Sequence, residues 1–203
     1  MELQQIIKDA ADKSISYEQY RAFVEAHTVN GTNSGSEVTE ALAEYTKLNN
    51  QRMKRLDKTL KILPENQELL NSFDKDVYFL IITESWCGDA AQTMPMMNKV
   101  AQTSGVDFKV VLRDENPLLM DQFLTNGGRA IAKLILVDKN TGLPVTTWGG
   151  PRPTKATQLV ADEKAAKGGA LSPEFKQELQ NWYNKDKGKD TENDLINMLR
   201  EVL

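Results

Sequence analysis

The residues best suited to chemistry are five in a row: Trp86, Cys87, Gly88, Asp89 and Ala90. They follow an apolar run and open a segment of helical periodicity. The unpaired N–H groups at the start of a helix stabilise an anion, so they favour the thiolate of a cysteine placed there. A thiolate is the reactive form in disulfide exchange. The pattern therefore predicts a reactive or ligand-facing thiol at Cys87, the alternative being a small buried hydrophobic residue.

Asp89 bears on the reactivity of that thiol in two ways. Its charge, two residues after Cys87, opposes formation of the thiolate. An acidic residue in a first helical turn also stabilises the helix by itself. Because the helix terminus and the carboxylate act in opposite directions, we expect the pKa of Cys87 to lie only slightly below that of an ordinary thiol.

Cationic and aromatic residues farther along the chain are candidates for the border of the same site. Arg129 follows two glycines that suggest a tight turn, and it either lines the site or forms a surface ion pair. Lys133 either approaches Cys87, and then lowers the pKa of the thiol, or is a solvated lysine at a strand start. The loop 148–153, which begins with Trp148, either covers the site or simply ends a strand.

The segments that must position these residues alternate between strand and helix patterns. Apolar, β-branched runs predict strands at 77–83, 106–112, 133–138 and 143–148, with a short turn at 140–142 that requires antiparallel pairing. Helical patterns at 87–103 and 117–124 separate the first three. This order predicts an α/β fold, a central mixed sheet with helices on both faces.

Helices are expected at both ends of the chain. We divide the chain into an N-terminal helical extension, 1–70, and a domain with C-terminal helices, 71–203. Capping signals are a box starting at Ser16, Ser36 before a long helix, and the pair Thr191 and Asp194 in the last helix; 185–190 is expected to be a mobile linker. The apolar faces of the extension must pack on the core or on a second copy, so a homodimer stays open.

Composition excludes several classes of function. The net charge of −4 and the pI of about 5.2 argue against a nucleic-acid partner, and the basic stretch 47–58 is interpreted as a solvated helix face. No apolar run is long enough to cross a membrane, and the start of the chain has no secretory signal. One cysteine and one histidine make a metal site improbable and exclude an internal disulfide, which fits a reducing, cytoplasmic location.

The motif around Cys87 resembles the W-C-G-P-C motif of thioredoxin, with Ala90 where the second cysteine would stand. The resemblance covers about residues 77–148 and includes a helix proline, an aspartate-x-asparagine-proline element and the segment before the third strand: Pro95, Asp114–Pro117 and Arg129–Lys133. The chain is also similar to a bacterial group of thioredoxin-like proteins with a W-C-G-D-A motif and an N-terminal helical extension. The resemblance implies a thioredoxin fold and a substrate groove around Trp86, Ile131 and Trp148.

Three departures from the family pattern bear on activity. Ala90 removes the resolving cysteine, so an internal dithiol–disulfide cycle is impossible. Ala132 replaces the cis-proline of the groove, and we expect a trans peptide there because a non-proline cis bond costs about 3 kcal/mol. Ile81 stands where the family has a buried aspartate that assists proton transfer.

The resemblance leaves more than one function open. The first is a monothiol thiol–disulfide oxidoreductase, in which Cys87 exchanges with a protein or a low-molecular-weight thiol or disulfide. The second is a non-catalytic thioredoxin-fold protein that binds a peptide or partner. A glutaredoxin-like cluster carrier ranks last, since no glutathione pocket is evident. Neither of the first two assignments calls for a cofactor or a metal.

Overall fold

The structure is a computed structural model that describes residues 2–203. The helices are α1 (Leu3–Asp12), α2 (Tyr17–Asn30), α3 (Glu40–Thr59), α4 (Pro64–Asn71), α5 (Gly88–Ser104), α6 (Pro117–Met120), α7 (Thr154–Ala166), α8 (Pro173–Asp186) and α9 (Lys189–Arg200). The strands are β1 (Val77–Thr83), β2 (Asp107–Leu112), β3 (Lys133–Asp138) and β4 (Pro144–Trp148). In the part of the chain described, no helix is both long and apolar enough to cross a membrane.

The strands form one mixed sheet in the order β2-β1-β3-β4. β1 pairs with β2 in parallel, and α5 makes the crossover between them. β3 runs antiparallel to both β1 and β4. The predicted α/β architecture, including the hairpin of the last two strands, is confirmed.

Both faces of the sheet are covered. Every residue of β1 is buried, and so is all of β3 except its last residue. A strand buried on both sides has no polar face, which explains why the apolar run is nearly continuous in the sequence. Cys87 therefore follows the most deeply buried strand of the molecule.

The N-terminal helices pack on this core. Ile7, Tyr20 and Met53 belong to the same apolar cluster as the sheet residues, and Ile15 forms a short antiparallel bridge to Val110 on β2. The expectation that the extension buries its apolar faces on the core is met only in part within one copy of the chain, because Tyr45 and Leu48 of α3 stay exposed. The domain division at residue 70 stays a prediction.

One N-terminal capping assignment is confirmed and one is wrong. Ser16 caps α2 in a reciprocal capping box with Gln19. Thr39, not Ser36, caps α3. The N–H and the hydroxyl of Ser36 instead donate to Asp114 Oδ2, at 2.8 and 3.0 Å. A long-range partner thus outweighs the local helix signal.

The C-terminal predictions fail for a similar reason. The expected linker 185–190 is the junction of α8 and α9, where Asp190 is buried. Asp194 lies inside α9, and its carboxylate accepts from Trp148 Nε1 and the Thr154 N–H, both at 2.9 Å. The helix that it caps is α7, which begins after a proline and has no capping side chain of its own.

α7 and α8 share a small apolar cluster that is separate from the main core. Its buried members are Ala156, Val160, Leu179 and Tyr183. These two helices therefore have their own packing centre beside the sheet domain.

Candidate thiol site and cleft

Cys87 is positioned by the end of β1 and the start of α5. Four residues after the end of the strand, it is the N-cap residue of α5, as predicted. The N–H of Ala90 donates to Cys87 Sγ at 3.4 Å, and the thiol donates to the carbonyl of Ile131 at 3.2 Å. The side chain is only 6% exposed. The sulfur thus bridges the helix N-terminus and the loop before β3.

The expected pKa of this thiol is wrong. Burial raises the pKa of Cys87 to about 12, and the charge of Asp89 adds to the increase. The N–H groups of Ala90 and Asp89 act in the opposite direction, but desolvation exceeds them. A helix terminus favours a thiolate by only about 0.3–1 kcal/mol at a surface, which is too little to offset burial of this extent.

Asp89 joins three separate elements at the site. Its carboxylate forms an ion pair with Arg152 Nη2 at 2.9 Å and accepts from the Tyr183 hydroxyl at 3.2 Å. Burial raises the pKa of Asp89, while Arg152 and Tyr183 lower it. Asp89 therefore connects α5 to the loop 148–153 and to α8, a role that its place in the motif did not reveal.

A cavity of about 710 Å³ opens beside Cys87. We call it the cleft. Its floor is the stretch from Trp86 to Asp89, and α3 and the region of α8 form its two walls. The remaining lining residues are Leu42, Tyr45, Arg52, Arg113, Arg129, Ala130, Ile131, Pro151, Arg152, Leu171, Pro173, Lys176, Gln177, Leu179 and Gln180.

The candidate site residues divide into three groups: those that line the cleft, those buried next to it, and those held elsewhere. The structure brings Trp86, Gly88, Asp89, Arg129 and Ile131 to the cleft with Cys87. Ala90 and Ala132 are buried behind it, with Ala90 contacting the sulfur through its N–H group.

Lys133 and Trp148 form the third group, whose side chains do not line the cleft. Lys133 Nζ donates to the carbonyl of Gly149 at 3.1 Å, and Trp148 Nε1 donates to Asp194 on α9. Neither lines the cleft, so the expected groove contact of Trp148 and the approach of Lys133 to the thiol are not found. Both side chains are held by other partners, the Gly149 carbonyl and Asp194, which sequence spacing could not indicate.

The Ile131–Ala132 peptide is cis, so the expected trans geometry is wrong. The expectation rested on the intrinsic preference of the peptide bond, whereas this bond lies in a fully packed setting where Ala132 has no exposed surface. The loop 148–153 does reach the site, through Arg152.

Five cations and one acid line the cleft. Arg113 lies over the Trp86 ring, 4.9 Å from its centroid, and pairs with Asp114. Arg129 makes two 2.7 Å hydrogen bonds to Asp121. The other charged lining residues are Arg52, Arg152, Lys176 and Asp89. The interpretation of 47–58 as a solvated face is therefore wrong for Arg52, which is half-buried at this cleft.

Sequence reasoning missed a buried carboxylate next to the motif. Glu84, fully buried, accepts from the Asp114 N–H at 2.9 Å and from the hydroxyl of Ser34. Burial raises the pKa of Glu84, and these hydrogen bonds lower it. The available signal was an acidic residue directly after a fully apolar strand.

Ser34 ties the loop before α3 to the loop that carries the motif. It accepts from the Ser85 N–H at 2.8 Å, its own N–H donates to Ser85 Oγ at 2.9 Å, and its carbonyl accepts from Trp86 Nε1 at 3.1 Å. The next residue, Gly35, has a φ of +96°, and a Cβ there would lie 2.8 Å from Asp114 Oδ2. A glycine is thus required where the two loops meet.

No group of three or more His, Cys, Asp or Glu side chains within residues 2–203 is arranged to hold a metal ion.

Comparison with known proteins places this architecture. A family model described as thioredoxin matches residues 35–166, more than half of the chain. No curated protein matches the sequence. A Pseudomonas aeruginosa protein of unknown function has a similar solved structure, with a TM-score of 0.58 and 12% identity over 79% of this chain and 92% of that one. An HIV epitope scaffold is similar over 97% of this chain and 98% of its own, with a TM-score of 0.60 and 15% identity. At these identities, the similarity to the two solved structures supports the fold and nothing more.

Proposed function

The chain belongs to the thioredoxin family, and from that premise we propose that it is a monothiol thiol–disulfide oxidoreductase with Cys87 as the attacking residue. The observation that carries the proposal is the position of Cys87, at the N-terminus of α5 and in the floor of a cleft of about 710 Å³. A cleft of this size is typical of sites that bind small molecules.

The reaction takes two exchange steps. The Cys87 thiolate attacks one sulfur of a disulfide, forms a mixed disulfide with that half, and releases the other half as a thiolate. An external low-molecular-weight or protein thiol then attacks the substrate sulfur of the mixed disulfide. Cys87 is released in its reduced form, and the substrate half leaves in a new disulfide with that external thiol. Since Ala90 offers no second thiol, the external thiol is essential.

The small population of the Cys87 thiolate limits the rate of this mechanism. Burial raises the pKa of Cys87 to about 12, so only a very small fraction of the thiol is ionised at neutral pH. Asp89 contributes to that value, and its ion pair with Arg152 lies at the cleft. We propose that Trp86, Gly88, Asp89, Arg129 and Ile131 surround the substrate, and that the protein works in a reducing, cytoplasmic compartment that supplies the external thiol.

A second candidate, a non-catalytic protein that binds a small molecule or peptide in the cleft, gains support from one observation. Cys87 is buried and protonated at neutral pH, and its thiol hydrogen is already donated to Ile131. In that case the thiol is a structural group and the cleft alone is functional.

The decisive experiment is incubation of the reduced protein with an excess of bis(2-hydroxyethyl) disulfide, followed by intact-mass spectrometry. We expect a single adduct that a reducing thiol removes, and no adduct on the Cys87→Ser variant. Turnover of insulin with a dithiol recycling system should be far slower than that of a two-cysteine thioredoxin. Absence of an adduct after hours at pH 8 would reject exchange and leave the binding function.

A further inference from the structure

The charges of the cleft are strongly unequal. The cations Arg52, Arg113, Arg129, Arg152 and Lys176 line it, and Asp89 is the one acid among its lining residues in the part of the chain described. Arg152 neutralises that acid through a 2.9 Å ion pair. In a protein whose overall charge is −4, a local excess of positive charge of this size concentrates anions at the cleft.

Two of the cations have no carboxylate partner within residues 2–203. Arg52 and Lys176 form none of the ion pairs of the structure, whereas Arg113 and Arg129 each pair with an aspartate outside the cleft. Arg52 donates to the neutral Asn49 amide oxygen at 3.2 Å and is half-buried. Asp89 is near enough to act on Arg52 electrostatically, but it forms its ion pair with Arg152. A half-buried guanidinium without a direct ion pair gains more from an anionic ligand than a solvated one does.

Arg52 also lies where the reaction would occur. A Cβ on Gly88 would be 3.6 Å from Arg52 Nη1, so the guanidinium sits against the residue next to Cys87 at the start of α5. Lys176, on α8, lines the same cleft. Cations thus reach the cleft from both the α3 wall and the α8 wall.

The rest of the lining is suited to an organic body. Tyr45, Ile131, Pro151 and Leu171 offer apolar surface between the cations. The cavity of about 710 Å³ holds a small organic molecule, whereas a folded protein surface needs a much larger contact.

We propose that the substrate of Cys87 is a small organic disulfide that carries at least two anionic groups, one held by Arg52 beside the thiol and another by the remaining cations of the cleft. This inference rests on the proposed function, because it names the substrate of that exchange. The chemistry is the two-step exchange given above, with the anionic groups as spectators that position the disulfide.

A charge series of small disulfides tests the inference. The probes are 3,3′-dithiodipropionate, bis(2-hydroxyethyl) disulfide and cystamine, which are similar in size and are a dianion, a neutral molecule and a dication. We expect mixed-disulfide formation to be at least about tenfold faster for the dianion than for the neutral probe, slowest for the dication, and the preference to shrink in roughly 1 M salt. Equal rates for the dianion and the neutral probe would overturn the proposal.

A pair of matched variants localises the effect. Arg52→Gln should lower the ratio of the dianion rate to the neutral rate about tenfold. Lys54→Gln removes the same charge from an exposed position of the same helix and should leave that ratio unchanged. If both variants lower the ratio equally, the general field of α3 is responsible and the assigned anion site is wrong.

A binding measurement separates this inference from the proposed function. Cys87→Ser cannot exchange, so calorimetric titration of that variant with the dianion and with the neutral probe reports on recognition alone. We expect at least about tenfold tighter binding of the dianion. Preference for the dianion on Cys87→Ser, without an adduct on the wild type, keeps the anion site and rejects the exchange. The absence of a preference rejects the anion site whether or not Cys87 reacts.

Discussion

The two walls of the cleft are built in different ways. The α3 wall is part of the main core: Met53 and Leu56 of that helix are buried in the same cluster as the sheet. Polar contacts fix it further, since Thr46 and Asn49 hydrogen-bond to Ser85 in the motif loop.

The α8 wall has much weaker ties to the core. Its apolar face packs with α7 in the small separate cluster, and its polar links to the rest of the molecule are few. Tyr183 donates to Asp89, Gln180 bonds to Gln92 at 2.8 Å, and Asn184 accepts from Arg55 at 2.7 Å.

This contrast predicts which wall controls access to the Cys87 thiol. Because α3 is fixed to the core, we expect access to Cys87 to change most when the α8 side moves, where Tyr183 contacts Asp89. A unit with few apolar contacts opens at a lower free energy than the core does. Burial, which raises the pKa of Cys87, is therefore easiest to relieve by displacing α8.

The largest expected effect compares cavities in the two walls. Met53→Ala should lower the global free energy of unfolding by about 2–5 kcal/mol, because it removes a fully buried side chain from the main core. Leu179→Ala should lower it by less than about 1 kcal/mol and instead speed amide hydrogen exchange in α7 and α8.

Urea denaturation and exchange mass spectrometry measure the two quantities. If Leu179→Ala destabilises the whole molecule as much as Met53→Ala does, the walls do not differ as described.

The next effect concerns the thiol itself. Asp89→Asn should make alkylation of Cys87 by iodoacetamide roughly tenfold faster at pH 8. The substitution removes a carboxylate that raises the pKa of Cys87, and it frees Arg152, whose charge lowers that pKa. Because the pKa of Cys87 lies above this range, the rates of both proteins should rise steadily from pH 6 to 10, and their constant ratio reports the change in pKa for thiolates of equal reactivity.

Tyr183→Phe is the matched control for this experiment. It loosens the same contact between α8 and Asp89 but keeps the carboxylate. A much smaller acceleration is expected. If both variants react equally fast, opening of α8, and not the charge of Asp89, limits the reactivity.

Sequence reasoning succeeded where local pattern decides structure and failed where distant partners do. The continuous apolar run of β1, the hairpin after Asp138 and the Ser16 capping box are local signals, and each was predicted. The pKa expected for Cys87, slightly below that of an ordinary thiol, assumed an exposed helix terminus, but the sulfur is covered by residues far away in the chain. Ser36 and Asp194 were assigned as caps of their own helices because their long-range partners cannot be seen in the sequence.

The cleft shows the same limit. Its charge comes from residues of five separate segments, from Arg52 to Lys176, and no spacing rule joins them. Arg52 looked like one more solvated cation of a basic helix.

The smallest expected effect is a pH dependence of stability that comes from Glu84, which is bonded to Ser34 in the loop before the α3 wall. Burial raises the pKa of Glu84 above its ordinary value of 4.5. The folded protein then holds this proton at pH values where the unfolded chain has lost it. The stability that follows is present below about 4.5 and is lost as pH rises through the higher pKa of the folded state.

Glu84→Gln removes this titration while keeping an oxygen that can accept from the Asp114 N–H. The variant should therefore be more stable relative to wild type at about pH 8 than at about pH 4. The free energy of unfolding of the variant minus that of wild type should be larger at the higher pH. Urea denaturation at both values measures the difference. Glu115→Gln, at an exposed position nearby, changes the formal charge equally and should show no comparable rise. A relative stability that instead falls with pH would mean that the hydrogen bonds from Ser34 and Asp114 outweigh burial. Glu84 would then be ionised in the folded protein, and the loop before the α3 wall would be held by charge as well as by packing.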